Sequence, residues 1–338
     1  MNTLLLGANE HDISTAAKIL KNGGLCAIPT ETVYGLAADA LNETAVHNIF
    51  LAKGRAQDNP LIVHISDISE LSALVREVPD IVYCLAKRFW PGPLTMIMYK
   101  SELIPDAVTC GGDTVAIRMP QSEIARKIIK AAGRPLAAPS ANLSGGVSPV
   151  TAAHCVRDLN GRVDAILDGG ECTVGLESTV ISCISEPIKL LRPGFVTVEA
   201  LAAIAGEIEV DDAVLHPLKD GVKPASPGMK YTHYSPKANV IIIDAQSDDY
   251  CDYVNQKGGE SIYALCFDED APALKIPYIS YGGENDGVSQ AEKLFYSLRQ
   301  LDDMGARVIY ARMPKGDGVG LAVLNRLLRS AGFNVIKL

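Results

Sequence analysis

The chain has 338 residues, of which 48% are hydrophobic, and a formal net charge of −9. This length predicts two domains, because a single domain usually has about 100 to 200 residues. The negative charge argues against a general nucleic-acid binder, since neutralising phosphates requires clustered positive charge. The apolar runs are much shorter than the roughly 20 residues of a membrane span, and the first residues lack a basic flank and a cleavage site. We therefore predict a cytoplasmic protein without membrane contact.

Eight cysteines are scattered along the chain without a CxxC pair. Most have apolar neighbours, as in LCAI and ALCF. This pattern predicts reduced thiols in the core rather than disulfides or metal ligands.

The first 200 residues alternate short apolar strands with amphipathic helices. We predict strands at 25–28, 61–65, 94–99, 114–119, 135–138, 163–167, 178–183 and 188–191. We predict helices at 12–21, from Asn42 to 55, at 79–89, at 124–132 and after a Thr151 cap. Alternation of this kind is typical of an α/β fold.

Two of these strands end in loops that are rich in small polar residues. The first loop begins PTETVYG at Pro29, and the second reads PSANLSGG from Pro139. Open α/β sheets bind their ligands at such strand ends. A surface turn around a core tyrosine is an alternative for the first loop, so that Thr30 and Tyr34 shape the turn instead of contacting a ligand.

The remaining residues predict a linker and a second unit. The apolar residues of 208–237 follow no helical or strand period, and the segment contains four prolines. Both features indicate an interdomain linker. Its segment 230–235 is rich in aromatic residues, and we predict that it folds back as an active-site lid.

The tail that follows predicts strands at 240–243, 262–266 and 308–311 and helices at 250–255, 289–304 and 321–331. This is a three-layer α/β unit. The sequence GDGVG before the last helix matches no phosphate-binding motif, so a plain helix entry is the favoured interpretation.

Cations and hydroxyl groups gather at the predicted strand ends. They are Thr30, Thr32, Tyr34, Lys53, Arg55, His64, Arg118, Ser140, Asn142, Ser148, Ser178 and Arg192. The sequence has no Ser-His-Asp order, HExxH motif or P-loop beside them. Such a set of residues fits a polyanionic ligand bound beside a small polar ligand. The cations would hold the anion through charge-assisted hydrogen bonds, which are strong.

The sequence resembles the YrdC-type L-threonylcarbamoyladenylate synthases in seven segments with matching order and spacing: GGLCAIPTETVYGLAADA, KGRAQDNPLIVHI, WPGPLTMIM, TVAIRMP, APSANLSGGVSP, GLESTVI and LRPGFVT. The segment SPGMKYTHYSP and the tail resemble the longer, two-domain members of that family. The resemblance implies a YrdC-like catalytic domain at 1–207, with a twisted mixed sheet and a concave basic face. A linker at 208–237 and a smaller Rossmann-like three-layer α/β domain at 238–338 follow.

The resemblance also implies an activity. L-threonine, bicarbonate and ATP would give threonylcarbamoyl-AMP and pyrophosphate, the first step toward threonylcarbamoyl-adenosine in tRNA. This is adenylyl transfer, the chemistry of a nucleotidyltransferase. Mg²⁺ would accompany ATP, held by phosphates and water rather than by protein side chains. Other proteins would transfer the group to tRNA, so direct contact with nucleic acid is not required.

Individual roles follow from the same resemblance. The catalytic cations implied are Lys53 and Arg55. The L-threonine contacts implied are Thr32, His64, Arg118, Ala138 and Ser178. The ATP contacts implied are Lys53, Arg55, Asn59, Thr114, Ser140, Asn142, Ser148, Arg192 and Tyr234.

The chemistry makes sense of these residue types. A carbamate oxygen attacks the α-phosphate, so the nucleophile and the electrophile are both anions. Bringing them together requires fixed positive charge and positioning rather than a covalent nucleophile.

Two other functions remain alternatives. A carbamoyltransferase of the hydrogenase-maturation type shares a YrdC-like module, but it also carries zinc-finger cysteine pairs, which this sequence lacks. An RNA-binding protein would use the basic face, but the acidic total and the missing RNP-like motif argue against it.

Overall fold

A computed structural model describes residues 2–217 and 234–338, and these residues form two sheets with flanking helices. The larger sheet has eleven strands: β1 (Leu4–Leu6), β2 (Cys26–Ile28), β3 (Gly35–Asp39), β4 (Ile62–His64), β5 (Leu94–Tyr99), β6 (Thr114–Arg118), β7 (Leu136–Ala137), β8 (Ala165–Leu167), β9 (Thr179–Ser182), β10 (Ile188–Arg192) and β11 (Ile208–Val210). The helices of this part are α1 (Glu10–Lys21), α2 (Glu43–Lys53), α3 (Leu71–Leu74), α4 (Asp80–Phe89), α5 (Asp106–Thr109), α6 (Glu123–Ala132), α7 (Ala152–Leu159) and α8 (Val198–Ala205).

The smaller sheet has five strands: β12 (Asn239–Asp244), β13 (Ile262–Cys266), β14 (Tyr278–Ser280), β15 (Val308–Arg312) and β16 (Val335–Lys337). Its helices are α9 (Ser247–Asn255), α10 (Gly287–Asp303) and α11 (Gly320–Ser330). All its strand pairs are parallel, in the order β14-β13-β15-β12-β16. The GDGVG segment leads directly into α11, so it is a helix entry, as predicted.

The larger sheet is mixed, in the order β1-β8-β2-β3-β7-β4-β6-β5-β9-β10-β11. Its centre combines parallel pairs, such as β4 with β6, and antiparallel pairs, such as β5 with β6. The expectation of a mixed α/β sheet followed by a smaller α/β unit is confirmed.

Two predicted helix caps lie next to the loops of interest. The Asn42 side chain accepts a hydrogen bond from the Ala45 amide at the start of α2, and Thr151 caps α7 in the same way. Gly54 ends α2 at φ +62°, a left-handed conformation that glycine adopts without steric cost. Asn42 thus fixes the start of α2, and Gly54 fixes its end, where Lys53 is the last helical residue.

Several elements differ from the sequence-based prediction. The loop predicted from Pro29 onward contains β3, which pairs with both β2 and β7. Strand β11 lies in the segment predicted as a linker and pairs with β10. Among the described residues, no helix is long and apolar enough to cross a membrane.

The core continues from one sheet to the other. One buried apolar cluster includes Val147 and Leu176 of the larger unit and Leu294 and Phe295 of the smaller unit. Five of the eight cysteines are buried, while Cys84 is exposed.

Candidate functional site

A pocket opens where the loops after β2 and β7 meet the start of β4. It contains about 570 Å³ of space not filled by protein atoms, part of it open to solvent. Six predicted site residues line it: Thr32, Arg55, Ala138, Ser140, Arg192 and Tyr234. The remaining lining residues are Val33, Gly35, Pro60, Leu61, Ile62, Pro139 and Glu177.

Strand register brings distant parts of the sequence together beside this pocket. His64 on β4 is paired with Arg118 on β6, and Arg118 is paired with Thr95 on β5. The amide of Thr179, at the start of β9, donates to the Pro93 carbonyl just before β5. The sheet therefore places His64, Arg118 and Thr95 along one row, and Ser178, just before β9, reaches Thr95 through its side chain.

Arg118 is buried and is oriented by the loop after β2. Its Nη2 donates to Glu31 Oε1 at 2.6 Å, and its Nη1 donates to Thr32 Oγ1 at 2.9 Å. Burial alone would raise the pKa of Glu31, but the Arg118 guanidinium and hydrogen bonds hold it below its usual range. Glu31 therefore stays ionised and holds the guanidinium against Thr32.

His64 is neutral in this environment. Burial, followed by the positive charge of Arg118, lowers its pKa to about 3. Its Nδ1 lies 3.2 Å from the Ile62 carbonyl oxygen, which can only accept, so Nδ1 carries the proton. Nε2 is therefore an acceptor, which suits a hydroxyl or ammonium donor on a ligand.

Ser178 connects two further polar side chains. Its Oγ lies 2.7 Å from Thr95 Oγ1 and accepts from Arg192 Nη2 at 3.2 Å. Arg192 Nε also donates to the Ser178 carbonyl at 3.1 Å. Burial lowers the pKa of Arg192.

Lys53 at the end of α2 and the predicted Ser140 and Asn142 in the loop after β7 form one contact group. Lys53 Nζ donates to the carbonyl oxygen of Ser140 at 2.5 Å and to that of Asn142. Ser140 Oγ donates to Asn142 Oδ1 at 2.6 Å. Burial lowers the pKa of Lys53 well below its ordinary value. Lys53 thus holds the loop backbone, and Ser140 is the member of the group that lines the pocket.

Arg55 also lines the pocket. Its guanidinium donates to the carbonyl oxygens of Asn59 and Pro60 at 3.2 and 3.3 Å. Burial lowers the pKa of Arg55 to about 10, which leaves it charged at neutral pH. Thr114 is outside the pocket lining but begins β6 two residues before Ala116, the partner of the lining residue Ile62.

The last predicted contacts lie where the two units meet. Ser148 Oγ donates to Glu177 Oε1 at 2.5 Å, and Arg326 of α11 donates to Glu177 Oε2 at 2.9 Å. The ring of Tyr234 stacks on Phe295 of α10 with 5.3 Å between centroids. The smaller unit therefore contacts two residues of the pocket lining, Glu177 and Tyr234.

Two family models cover this arrangement. The Sua5/YciO/YrdC family, described as "Telomere recombination", matches residues 18–194, and "Threonylcarbamoyl-AMP synthase, C-terminal domain" matches residues 196–332. A threonylcarbamoyl-AMP synthase of Pyrococcus abyssi is 45% identical over 97% of this chain and 96% of the relative. The chain belongs to the threonylcarbamoyl-AMP synthase family.

Further relatives agree with this membership. A threonylcarbamoyl-AMP synthase of Bacillus subtilis is 43% identical over 98% of this chain and 96% of the relative. The crystal structure of P. abyssi Sua5 complexed with L-threonine matches with a TM-score of 0.92 and 42% identity, over 99% of this chain and all of that chain. Escherichia coli YciO, at 24% identity and a TM-score of 0.52, covers 57% of this chain and 96% of its own, and shares the fold.

For this family member, the structure separates two hydroxyls of the first loop from the pocket. Thr30 Oγ1 donates to the Val33 carbonyl at 2.6 Å, and Tyr34 donates its phenol proton to the Gly170 carbonyl at 2.7 Å. Both side chains shape the turn, the alternative that the sequence left open. Thr32 is the hydroxyl residue of this loop that lines the pocket.

Sequence reasoning missed four residues of the site: Glu31, Thr95, Glu177 and Arg326. Glu31 and Glu177 stand inside the motifs PTETVYG and GLESTVI, so a search for a counter-charge to the predicted arginines could have found them. Thr95 can be recognised as a site residue only from the strand pairing of β5 with β6. Arg326 lies in a helix whose sequence carries no motif that marks it.

The predicted segment 230–235 falls largely outside the described residues. Its last two residues are described: Tyr234 lines the pocket, and the amide of Ser235 donates to the Gly145 carbonyl at 3.0 Å. The lid stays a prediction.

The part of the chain that the structure describes has no group of three or more His, Cys, Asp or Glu side chains that could hold a metal ion. The carboxylate nearest the pocket, Glu177, is already bound by Ser148 and Arg326.

Proposed function

We propose that this chain catalyses adenylyl transfer to a threonine carbamate, using L-threonine, bicarbonate and Mg-ATP and releasing threonylcarbamoyl-AMP and pyrophosphate. The observation that carries the proposal is one pocket with two kinds of wall. The first wall is formed by Thr32, which lines the pocket, with Arg118 bonded to it and His64 paired with Arg118. The second wall is formed by the lining residues Arg55, Ser140 and Arg192, and Ser178 is bonded to Arg192. The family membership supports the proposed activity.

The first wall fits L-threonine. Arg118, held by Glu31, would receive the carboxylate, since a guanidinium binds a carboxylate with two parallel hydrogen bonds. The neutral Nε2 of His64 would accept from the substrate. Ala138 lines the same pocket at the end of β7.

The second wall fits the phosphates of ATP. Burial lowers the pKa of both Arg55 and Arg192, and a bound polyanion would offset this effect. Asn59 Oδ1 is buried and has no hydrogen-bond partner among the described residues. A hydroxyl or amino donor of the nucleotide would satisfy this acceptor.

The reaction then needs charge and positioning. The threonine amine adds to CO₂ formed from bicarbonate and loses a proton, and a carbamate oxygen attacks the α-phosphorus. The bond from that phosphorus to the bridging oxygen of the β-phosphate breaks, and pyrophosphate leaves. Arg55 and Arg192 would stabilise the charge on the phosphates, and Lys53 would fix the Ser140 loop.

The test is to incubate the chain with ATP, ¹³C-labelled bicarbonate and L-threonine. We expect pyrophosphate release that depends on threonine, together with a ¹³C-labelled adenylate. Pyrophosphate release without threonine, or no release at all, would contradict the proposal.

The proposed location is the cytoplasm, and the proposed partners are the proteins that pass the threonylcarbamoyl group to tRNA.

A further inference from the structure

Arg326 connects the smaller unit to the pocket through a fully buried guanidinium. It lies on α11 and is 0% exposed. Its Nη2 donates to the Glu177 carbonyl at 3.1 Å, and its Nη1 donates to the Pro193 carbonyl at 2.7 Å. It therefore fixes two backbone segments, one before Ser178 and one after Arg192.

The same guanidinium neutralises the carboxylate that lines the pocket. Arg326 Nε binds Glu177 Oε2 at 2.9 Å, and the other carboxylate oxygen receives Ser148 Oγ at 2.5 Å. A carboxylate in the wall of a phosphate pocket repels its ligand unless a cation is paired with it. Arg326 supplies this cation from outside the larger sheet.

Tyr234 is the third point of contact. The Arg326 Cζ atom lies 5.7 Å from the centroid of the Tyr234 ring, which is within the range of a cation–π contact. Ser330, one turn further along α11, donates to the Tyr234 carbonyl at 2.8 Å. Helix α11 thus holds both the side chain and the backbone of this pocket residue.

We propose that Arg326 is a positioning residue for ATP, which neutralises Glu177 and fixes Ser148 and Tyr234 against the nucleotide. This inference rests on the proposed function. It gives the C-terminal unit a part in substrate binding, because a residue of that unit sets the charge of the pocket.

The test separates charge from structure with two variants and a titration of Mg-ATP by calorimetry. Arg326→Gln removes the cation that is bonded to Glu177, and we expect the Kd for ATP to rise about 30-fold. Adding Glu177→Gln removes the uncompensated charge, and we expect the double variant to recover to within about 5-fold of wild type. A purely structural role would give the double variant a Kd as high as that of Arg326→Gln, or higher.

Asp158→Asn is the matched control. It removes another ion pair between the two units, which is partly buried and in which Arg299 Nη2 lies 2.5 Å from Asp158 Oδ2. Arg299 keeps its bond to the Val147 carbonyl in this variant. We expect the Kd for ATP to stay within about 2-fold of wild type, because this pair neutralises no carboxylate of the pocket.

Arg326→Lys covers the case in which Arg326→Gln does not fold. It keeps the positive charge while losing the fork of donors, and we expect a Kd for ATP within about 5-fold of wild type. A rise of about 30-fold in Arg326→Lys, equal Kd values for Arg326→Gln and the double variant, or an equal loss in Asp158→Asn would overturn the inference. Wild-type pyrophosphate release is measured in parallel, since its failure would sink the proposed function instead.

Discussion

At the scale of single residues, Glu31 is the side chain on which the orientation of Arg118 depends. Both side chains are 4% exposed, and their closest atoms are 2.6 Å apart. A buried ion pair of this kind contributes little net stability, but removing one partner leaves an uncompensated charge. The pair therefore serves to fix the position of Arg118.

Replacing Glu31 with glutamine tests this role. We expect Glu31→Gln to lower the free energy of unfolding by about 3 kcal/mol and to weaken L-threonine binding, because Arg118 loses its counter-charge. Chemical denaturation and calorimetric titration with threonine measure the two effects. Glu10→Gln is the control, since Glu10 forms an exposed ion pair with Lys127. An equal effect of both substitutions would show that burial of the pair is unimportant.

His64 predicts a pH dependence of stability. Its pKa is lowered from 6.5 to about 3 in the folded state, so the unfolded state binds a proton first as the pH falls. The stability that depends on neutral His64 is complete above pH 6.5 and is lost as the pH falls from there toward 3. Between pH 7 and pH 5 we expect a loss of about 2 kcal/mol from this residue.

The measurement compares wild type and His64→Gln by denaturation at pH 7 and pH 5. His154, whose pKa burial lowers to about 4, is present in both proteins and cancels in the comparison. The wild type should lose about 2 kcal/mol more than the variant. Equal losses would mean that His64 is protonated in the folded protein.

At the scale of elements, the loop before β9 packs directly on the backbone of α10. A Cβ atom at Gly175 would lie 2.5 Å from the Ala291 carbonyl oxygen and 2.6 Å from the Glu292 Cα atom. Gly175 also has φ +76°. This close approach sets the position of Glu177, two residues later.

Gly170 is a matched control for Gly175, because it lies in the same connection at φ +85° and a Cβ atom there would meet nothing within 4 Å. We expect Gly170→Ala to lower the free energy of unfolding by about 1 kcal/mol, the cost of the left-handed backbone alone. Gly175→Ala should cost at least about 3 kcal/mol, since it also forces α10 away. Thermal and chemical denaturation measure both, and equal costs would contradict the contact.

The sequence predicted most helices and strands because their signals are local. Asn42 and Thr151 cap helices where expected, and the apolar runs of β5 and β6 are strands. Strand β3 was missed because GLAAD combines residues of low strand propensity, and its pairing with β2 and β7 decides its structure. Tertiary pairing cannot be detected in a single segment.

The part of the site that lies in recognisable sequence motifs could be predicted. Arg55, Ser140 and Arg192 belong to recognisable segments and meet in one pocket. The partners that orient them were not predictable, because Glu31 to Arg118 and Arg326 to Glu177 join residues 87 and 149 positions apart. Only the folded chain shows those contacts.

At the scale of the whole molecule, the two sheets share one apolar cluster. Val147 and Leu176 pack with Leu294 and Phe295, and the buried ion pair of Arg326 with Glu177 crosses the same boundary. Separating the units would expose this surface and leave charges unpaired. The two units are therefore expected to unfold together.

Differential scanning calorimetry of the full chain measures this coupling. We expect one transition whose calorimetric and van't Hoff enthalpies agree, because the shared core makes unfolding cooperative. Two separate transitions would show that the units are thermodynamically independent. ATP should raise the transition temperature, since the proposed binding pocket exists only in the folded chain.

The most direct measurement of the central claim is a crystal structure of this chain with L-threonine and a non-hydrolysable ATP analogue. We predict the threonine carboxylate on Arg118, its hydroxyl or amine near His64 Nε2 and Ser178, and the triphosphate between Arg55 and Arg192. Both ligands should occupy the one pocket, with the threonine amine facing the α-phosphate. Threonine or nucleotide bound elsewhere, with this pocket empty at saturating concentrations, would contradict the account.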